Sequence, residues 1–184
     1  MRLLRSGALV DLRWIREAHP APFLDAAGAA LVADALRVNS ILIELHFDSA
    51  SLCHDMGAAR ILLGALAGHP HLRALTVIGE RCTDPAALGA LLAAILAHDA
   101  AALQRLFIYD NGLGDAGLAP LVDALPTNRH LSELYMSNNG MSERFVRERL
   151  LPAVRANTRL RLLRCRSSCF RSAAEKVEEL VSRR

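Results

Sequence analysis

One six-residue pattern occurs five times along the 184-residue chain and constrains the fold more than any other feature of the sequence. In each copy leucine occupies the first and fourth positions, and another apolar residue occupies the sixth. Self-similarity at a period of roughly 20–50 residues indicates a chain built from stacked copies of one structural unit. A weaker first copy begins at Leu12, with Ile15 in place of the second leucine. The five clear copies begin 30, 31, 28 and 29 residues apart and span residues 42–47, 72–77, 103–108, 131–136 and 160–165.

Each unit combines a strand with a helix. Side chains alternate along a strand, so the fourth and sixth positions face the same side and predict a short strand with one buried face. Downstream, apolar residues recur at intervals of four, which is typical of one face of an amphipathic helix. Three such series end in asparagine, for which we expect the left-handed conformation that ends many helices. They are Gly28, Val32, Leu36, Asn39; Gly117, Leu121, Leu125, Asn128; and Val146, Leu150, Val154, Asn157.

These units determine the predicted fold class. One strand and one helix in 28 to 31 residues cannot bury their apolar faces alone, so neighbouring units must share a core. Helices are wider than the strand spacing of about 4.8 Å, and this mismatch curves the stack. We therefore predict an α/β solenoid, a right-handed superhelix with parallel strands on its concave face and helices on its convex face. The ninth-position amides of Asn111 and Asn139 are expected to bond the backbone of neighbouring turns.

The units resemble leucine-rich repeats of the long, ribonuclease-inhibitor-like type, in which L-x-x-L-x-L-x-x-N precedes a helix. Residues 103–128 match best, because Asn111, Leu113 and Gly117 are all in place. The resemblance implies a leucine-rich-repeat solenoid that acts in protein recognition. The ninth position departs from asparagine in three copies, where we expect the asparagine ladder to be interrupted: Ala50, Glu80 and Ser168.

We expect residues 1–184 to form a single leucine-rich-repeat domain, with about five or six repeats across roughly 12–165 and a C-terminal capping helix in 166–184. The N-terminal end has no clear polar cap, which leaves a short irregular helix, an edge paired with another chain, or a fragment of a longer repeat protein as alternatives. In the C-terminal helix we expect an inward face of Ala173, Ala174, Val177, Leu180 and Val181 and an outward face of Glu175, Glu178 and Glu179.

The concave face consists of the third, fifth and seventh positions of each copy. Four of the eight aromatic residues of the chain fall there, beside arginines and acids, and this composition is typical of binding hot spots. The structural alternative is that aromatic residues favour strands and stack across neighbouring ones. The candidate partner-binding residues are Trp14, Arg16, Glu44, His46, Asp48, Arg105, Phe107, Tyr109, Glu133, Tyr135 and Arg164, with the centre at Arg105, Phe107, Tyr109, Glu133 and Tyr135.

Other chemistry is not expected. A structural zinc site needs four ligands in recognisable pairs, whereas the cysteine and histidine pairs of this chain lie in different repeats. The glycine-rich segment 111–117 lacks the lysine of a phosphate-binding loop and falls where the repeat turns from strand to helix. Asp110 and Asp115 beside it are expected to be corner and helix-start residues. The pairs in question are Cys53 and His54, His69 and His71, and Cys165 and Cys169.

Charge is unevenly distributed, since residues 1–142 carry 10 basic and 14 acidic groups while residues 143–184 carry 12 and 5. The arginine-rich end suggests nucleic acid or an acidic membrane surface. Within its arginine-rich stretch, residues 155–171, aromatic residues are absent apart from Phe170, so bases would have little to stack on and nucleic-acid binding is not expected. The longest weakly charged stretch, residues 85–97, is shorter than the roughly 20 residues of a membrane span.

The sequence and the resemblance together predict a non-catalytic module that binds a protein partner through the concave face, with no cofactor and no small-molecule substrate. Two alternatives follow from the same resemblance: a regulator of a small GTPase, similar to the Ran GTPase activator, and a sensor fragment of a NOD-like receptor. The low cysteine density predicts a reducing, cytoplasmic compartment, and a secreted bacterial effector stays open as a further alternative.

Overall fold

Six strands form one parallel sheet in sequence order within the residues that the computed structural model describes. These residues are 11–14, 25–48, 52–53, 55–79, 82–98, 102–166 and 171–183. The strands are β1 (Asp11–Trp14), β2 (Glu44–Asp48), β3 (Ala74–Ile78), β4 (Arg105–Phe107), β5 (Glu133–Tyr135) and β6 (Leu162–Arg164). Neighbours in the sheet are thus neighbours in the chain, which is the order that stacked strand–helix units produce.

A helix follows each strand. The helices are α1 (Ala26–Val38), α2 (Met56–Leu66), α3 (Pro85–Ala97), α4 (Gly114–Ala124), α5 and α6 (Arg171–Ser182), where α5 runs through Glu143–Phe145, a π-helical turn Val146–Leu150, and Leu151–Ala156. An aspartate caps the N-terminus of each of the first three helices, because its side chain accepts a backbone N–H of the first turn. Asp25 accepts from Gly28 at 2.7 Å, Asp55 from Gly57 at 2.8 Å, and Asp84 from Ala87 at 3.0 Å. None of the helices in the described ranges has the length and apolarity that a membrane crossing requires.

The repeated leucines form the centre of the core. The second leucines of the five clear copies lie in register across the sheet, and none is more than 1% exposed: Leu45, Leu75, Leu106, Leu134 and Leu163. The sixth positions are buried beside them, from Phe47 to Cys165. The same sheet face packs against the helices, so the predicted α/β class with alternating parallel strands and helices is confirmed.

The register predicted for the first copy is wrong. Leu12 pairs with Leu45, the second leucine of its neighbour, and not with the first leucine position that its spacing from Leu42 suggested. Trp14 therefore lies in register with Phe47, at the sixth position, whose other described occupants belong to the core. The observed register differs from the predicted one by three residues, and a slip by an odd number of residues exchanges the two faces of a strand.

The asparagines at the helix ends are positioned as predicted, but the predicted left-handed conformation is wrong. Asn39 and Asn157 are extended, with φ of −79° and −74°. These residues instead stabilise the chain after the helix through side-chain hydrogen bonds. Asn39 Oδ1 accepts the backbone N–H groups of Ile41 at 3.0 Å and Leu42 at 2.6 Å. Asn128 and Asn157 bond the two corresponding groups of the next repeats in the same way. Each amide thus fixes the turn that leads from a helix into the next strand.

Histidine replaces this asparagine in one repeat. His69, which is 4% exposed, accepts the backbone N–H of Leu72 at 3.1 Å through Nδ1, in the place of the amide oxygen. A nitrogen that accepts cannot carry a proton, so the neutral ring is the form that fits. Burial lowers the pKa of His69 below its usual 6.5, against the opposing effect of the backbone of Asn39.

This burial predicts a pH dependence of stability. Because the folded-state pKa of His69 is lowered, its contribution is fully present above pH 6.5 and is lost as the pH falls below that value, where the unfolded chain takes up the proton first. Denaturant titrations at about pH 7.5 and about pH 5.5 measure the change in the free energy of unfolding. The His69→Asn variant, which restores the amide of the other repeats, is expected to lose less stability over this interval. Equal losses in the two proteins would refute the assignment.

The ninth-position asparagines form the predicted ladder. Asn111 Nδ2 donates to Val77 O at 2.8 Å, and Asn139 Nδ2 donates to Ile108 O at 2.6 Å, one repeat back in each case. Asn139 Oδ1 also accepts the backbone N–H of Asn111 at 3.2 Å. Both side chains are fully buried and satisfy backbone groups at the corner that follows each strand. The positions at which we expect the ladder to be interrupted lie outside the described residues.

Helix α6 packs against β6 and differs from the prediction at one residue. Val177 and Val181 face inward as expected, whereas Glu178 is 5% exposed and not outward. Its Oε1 accepts the backbone N–H of Cys165 at 2.8 Å, and its Oε2 accepts from Arg166 Nε at 3.0 Å. A sheet edge leaves backbone donors without a partner strand, and this carboxylate supplies an acceptor for one of them.

Candidate functional site

Among the described residues, one aromatic pair stacks on the sheet face opposite the leucines, which is the predicted concave face. Phe107 on β4 and Tyr135 on β5 lie in register, and their ring centroids are 4.5 Å apart with an angle of 21° between the planes. Both rings are half-buried and occupy the fifth position, on the opposite side of the sheet from the leucines. Tyr109, also half-buried, follows at the seventh position of the same repeat. The structure thus places the three central aromatic candidates on two adjacent repeats.

An ion pair joins β2 and β4 across the strand between them, β3. The guanidinium of Arg105 on β4 pairs with the carboxylate of Glu44 on β2, and Ala74 of β3 lies between them in the ladder. The methyl group of Ala74 is small enough for the two longer side chains to meet above it, and the residue is 3% exposed. His46 Nε2 lies 3.8 Å from the second oxygen of Glu44. These contacts hold Glu44, His46 and Arg105 together beside the aromatic pair.

A shallow depression of about 220 Å³ lies between β2 and β4. Its floor is β3, where Ala74 and Thr76 are small and buried, and its walls are the longer side chains of the strands on either side. The lining residues are Glu44, His46, Ala74, Thr76, Ile78, Arg105, Phe107 and Tyr109. Five of the predicted binding residues therefore share one concavity, while Ala74, Thr76 and Ile78 of the floor were not among the predicted binding residues. The signal of Ala74 and Thr76 in the sequence is their small size, between two repeats that carry larger residues at the same positions.

The far side of the concave face is basic. Arg164 of β6 and Arg166 beyond it are exposed, and both approach the carboxylate of Glu178, with Arg164 Nη1 at 3.7 Å. Arg164 lies in register with Tyr135. The face thus runs from Glu44 at one side, through the aromatic pair, to arginines at the other.

The remaining predicted binding residues do not all lie where the repeat pattern places them. Glu133 is half-buried in register with Arg105, as the repeat predicts. Asp48 ends β2 in register with Ile78. Trp14 lies in register with Phe47 at the sixth position and not at the predicted third position, and Arg16 lies outside the described residues. In the register of β1, the third and fifth positions belong to Asp11 and Arg13, which the spacing from Leu42 concealed.

The acidic residues near the glycine-rich segment have the predicted structural roles. Asp110 has a φ of 63° at the corner after β4, and Asn138 has 57° at the same place one repeat later. Asp115 lies in the first turn of α4 and accepts the backbone N–H of Ser142 at 2.7 Å. Among the described residues, no group of three or more histidine, cysteine, aspartate or glutamate side chains is placed to hold a metal ion.

Comparison with known proteins supports the repeat type at a coarse level. No family model matches the chain. The human NACHT, LRR and PYD domains-containing protein 5 is 30% identical over 119 residues, which are 63% of this chain and 9% of that protein. The chain therefore spans a small fraction of the length of this relative. The match, the repeat spacing and the parallel sheet together indicate leucine-rich-type repeats.

A solved structure has the same overall fold. The chain described as Leiomodin-1 Actin-Binding Site 2 superposes with a TM-score of 0.52 and 12% sequence identity, and the match covers 99% of this chain and 85% of that one. A likeness at this identity concerns the fold. The fold alone does not define a function.

Proposed function

We propose that the chain is a non-catalytic recognition module of ribonuclease-inhibitor-like repeats, which binds one segment of a protein partner on its concave face. The observation that carries the proposal is the Phe107–Tyr135 stack on the open side of the sheet, beside a depression. Rigid aromatic side chains bury a large area on binding and lose little entropy, so they anchor many interfaces.

The size of the depression favours a protein segment over a free small molecule. Pockets for drug-sized ligands commonly measure about 300–1,000 Å³, and this depression measures about 220 Å³. A single apolar side chain of a partner fits such a volume, with its stem over Ala74 and its flank against Phe107. Interface hot spots often consist of one anchor residue in a small pocket of this kind.

The charges orient the partner. Glu44 and Arg105 stand at one side of the aromatic pair, and Arg164 and Arg166 stand at the other. An acidic group on the partner beyond its apolar anchor would face the two arginines and would steer association more than it would add affinity. We also propose a reducing, cytoplasmic location, which is supported by the low cysteine density of four in 184 residues.

Substitution of the aromatic residues tests the proposal. We expect the Phe107→Ser, Tyr109→Ser, Tyr135→Ser triple variant to bind its partner at least about tenfold more weakly, since loss of a hot spot costs more than about 1.4 kcal/mol. The partner is first captured with the wild-type chain, and its affinity is then measured by titration calorimetry. The control replaces the exposed helix-side residues Arg60, Ala94 and Arg155 with serine and is expected to bind normally.

The same triple variant separates recognition from the structural alternative. If the aromatic residues only stabilise the sheet, the variant keeps its affinity and loses melting temperature instead. GTP hydrolysis by a panel of small GTPases, measured with and without the chain, tests the regulatory alternative. A rate increase would replace the proposal of simple binding.

A further inference from the structure

Two cysteines of neighbouring repeats meet in the core. Cys53 and Cys82 have their sulfur atoms 2.8 Å apart, and the residues are 2% and 7% exposed. Thr83 Oγ1 donates to Cys53 O at 2.9 Å, which is a second link between the same two segments. The pair lies beyond the carboxyl ends of β2 and β3 and has no part in the concave face.

The repeat geometry suits a covalent bond between them. The two residues are 29 positions apart, close to one repeat, and neighbouring repeats lie about 4.8 Å apart at the sheet. The sulfur atoms already face each other, so a bond of about 2.05 Å needs only a small approach.

The environment of the two thiols favours the reactive form of Cys82. The hydrogen bond with Cys53 lowers the pKa of the Cys82 thiol to about 7, against the opposing effect of burial. The lowered pKa favours the thiolate of Cys82, and the thiolate is the reactive form. Cys165 provides the contrast within the same chain, because burial raises the pKa of its thiol to about 12.

We propose that Cys53 and Cys82 form a reversible redox site that a hydroperoxide converts to a disulfide. The Cys82 thiolate attacks one peroxide oxygen, the O–O bond breaks, and Cys82 becomes a sulfenic acid while hydroxide leaves and takes up a proton. Cys53 then attacks the Cys82 sulfur, the S–O bond breaks, and water leaves with the thiol proton. Overall two thiols and one hydrogen peroxide give one disulfide and two waters, and a dithiol reductant reverses the change.

A small oxidant fits the burial of the pair. Cys82 is the more exposed of the two at 7%, which admits a peroxide more readily than a bulky disulfide such as oxidised glutathione. The product joins the repeats of β2 and β3 and closes a loop over residues 53–82, so the oxidised protein is expected to melt at a higher temperature.

Peptide mapping of the full chain tests the proposal. Trypsin cleaves after Arg37, Arg60, Arg81 and Arg105, so Cys53 and Cys82 fall in the separate peptides 38–60 and 82–105. The reduced protein is treated with hydrogen peroxide, quenched with catalase, alkylated in denaturant and digested without reductant. We expect a linked species about 2 Da lighter than the sum of the two peptides, which disappears after reduction with dithiothreitol.

Three variants assign the order of the steps. Cys53→Ser is expected to leave a sulfenic acid on Cys82 that dimedone traps, and Cys82→Ser is expected to abolish the linked species. Cys165→Ser is the matched control and is expected to leave it unchanged. A linkage of Cys82 to any other cysteine, a linkage between two chains, or two unmodified thiols in folded wild-type protein after prolonged peroxide treatment would overturn the proposal.

Discussion

Gly89→Ala is expected to destabilise the protein by roughly 2–4 kcal/mol, although alanine normally stabilises the interior of a helix. A Cβ atom at Gly89 in α3 would lie 1.8 Å from the carbonyl oxygen of Gly117 in α4. The obstacle is backbone, so no side-chain rotation can relieve it, and the two helices would have to separate. Denaturant unfolding of the variant measures the loss.

Gly64→Ala is the matched control for this substitution. Gly64 is also inside a helix, α2, but a Cβ atom there would have no neighbour within 4 Å. The same chemical change is therefore expected to stabilise the protein by roughly 0.5–1 kcal/mol, through helix propensity alone. Opposite signs at Gly89 and Gly64 would establish the close packing of α3 on α4. A stabilising effect at both positions would contradict it.

Asn139→Asp is expected to cost roughly 3–5 kcal/mol, because it places an unpaired charge in a buried ladder. The side chain of Asn139 is 1% exposed and donates to the carbonyl oxygen of Ile108 at 2.6 Å and to that of Met136 at 3.1 Å. A carboxylate at this site cannot donate, so these two carbonyl oxygens would lose their hydrogen bonds and face a negative charge, which the N–H of Asn111 at 3.2 Å offsets only in part. Thermal and denaturant unfolding at neutral pH measure the effect.

The neighbouring residue supplies the control. Asn138 is exposed and has a φ of 57°, a conformation that aspartate also tolerates. Asn138→Asp makes the same chemical change one position away and is expected to alter the free energy of unfolding by less than about 0.5 kcal/mol. Similar losses for Asn138→Asp and Asn139→Asp would mean that net charge, and not the buried ladder, is responsible.

The order of the strands and helices could be predicted because every clear repeat carries the same strand–helix pattern. Leu45, Leu75 and the equivalent leucines mark the same point of every strand, and one spacing rule then places every strand in the sheet. The first copy lacks this redundancy. Its leucine could be aligned with either Leu42 or Leu45, and only the packing of the strand on its neighbour decides between them.

Details that depend on three-dimensional neighbours could not be predicted. Local propensity predicts a left-handed backbone at Asn39 and Asn157, whereas in the structure their side chains accept N–H groups in the turn that precedes the next strand. Glu178 was placed outward by helical periodicity, because the unpaired N–H of Cys165 at the sheet edge is not visible in a one-dimensional pattern. A local side-chain hydrogen bond decides the conformation at the two asparagines, and a tertiary hydrogen bond decides the orientation of Glu178.

The sequence predicts which central side chains of the candidate site share one face of the sheet, but it does not predict the contacts at the edge of that site. Strand alternation alone places Phe107, Tyr109 and Tyr135 on one face, and the structure brings these aromatic residues together. The ion pair between Glu44 and Arg105 joins residues 61 positions apart, and it depends on the short side chain that happens to lie between them. A repeat pattern predicts which side chains share a face but not which of them meet.

Site-specific photo-crosslinking tests recognition by the concave face most directly. A benzoylphenylalanine in place of Tyr135 keeps an aromatic ring beside Phe107, and the same residue in place of the exposed Ala94 on α3 reports on the helix side. Irradiation with the captured partner is expected to give a covalent adduct from position 135 and none from position 94. Adducts from position 94 alone would contradict recognition by the concave face.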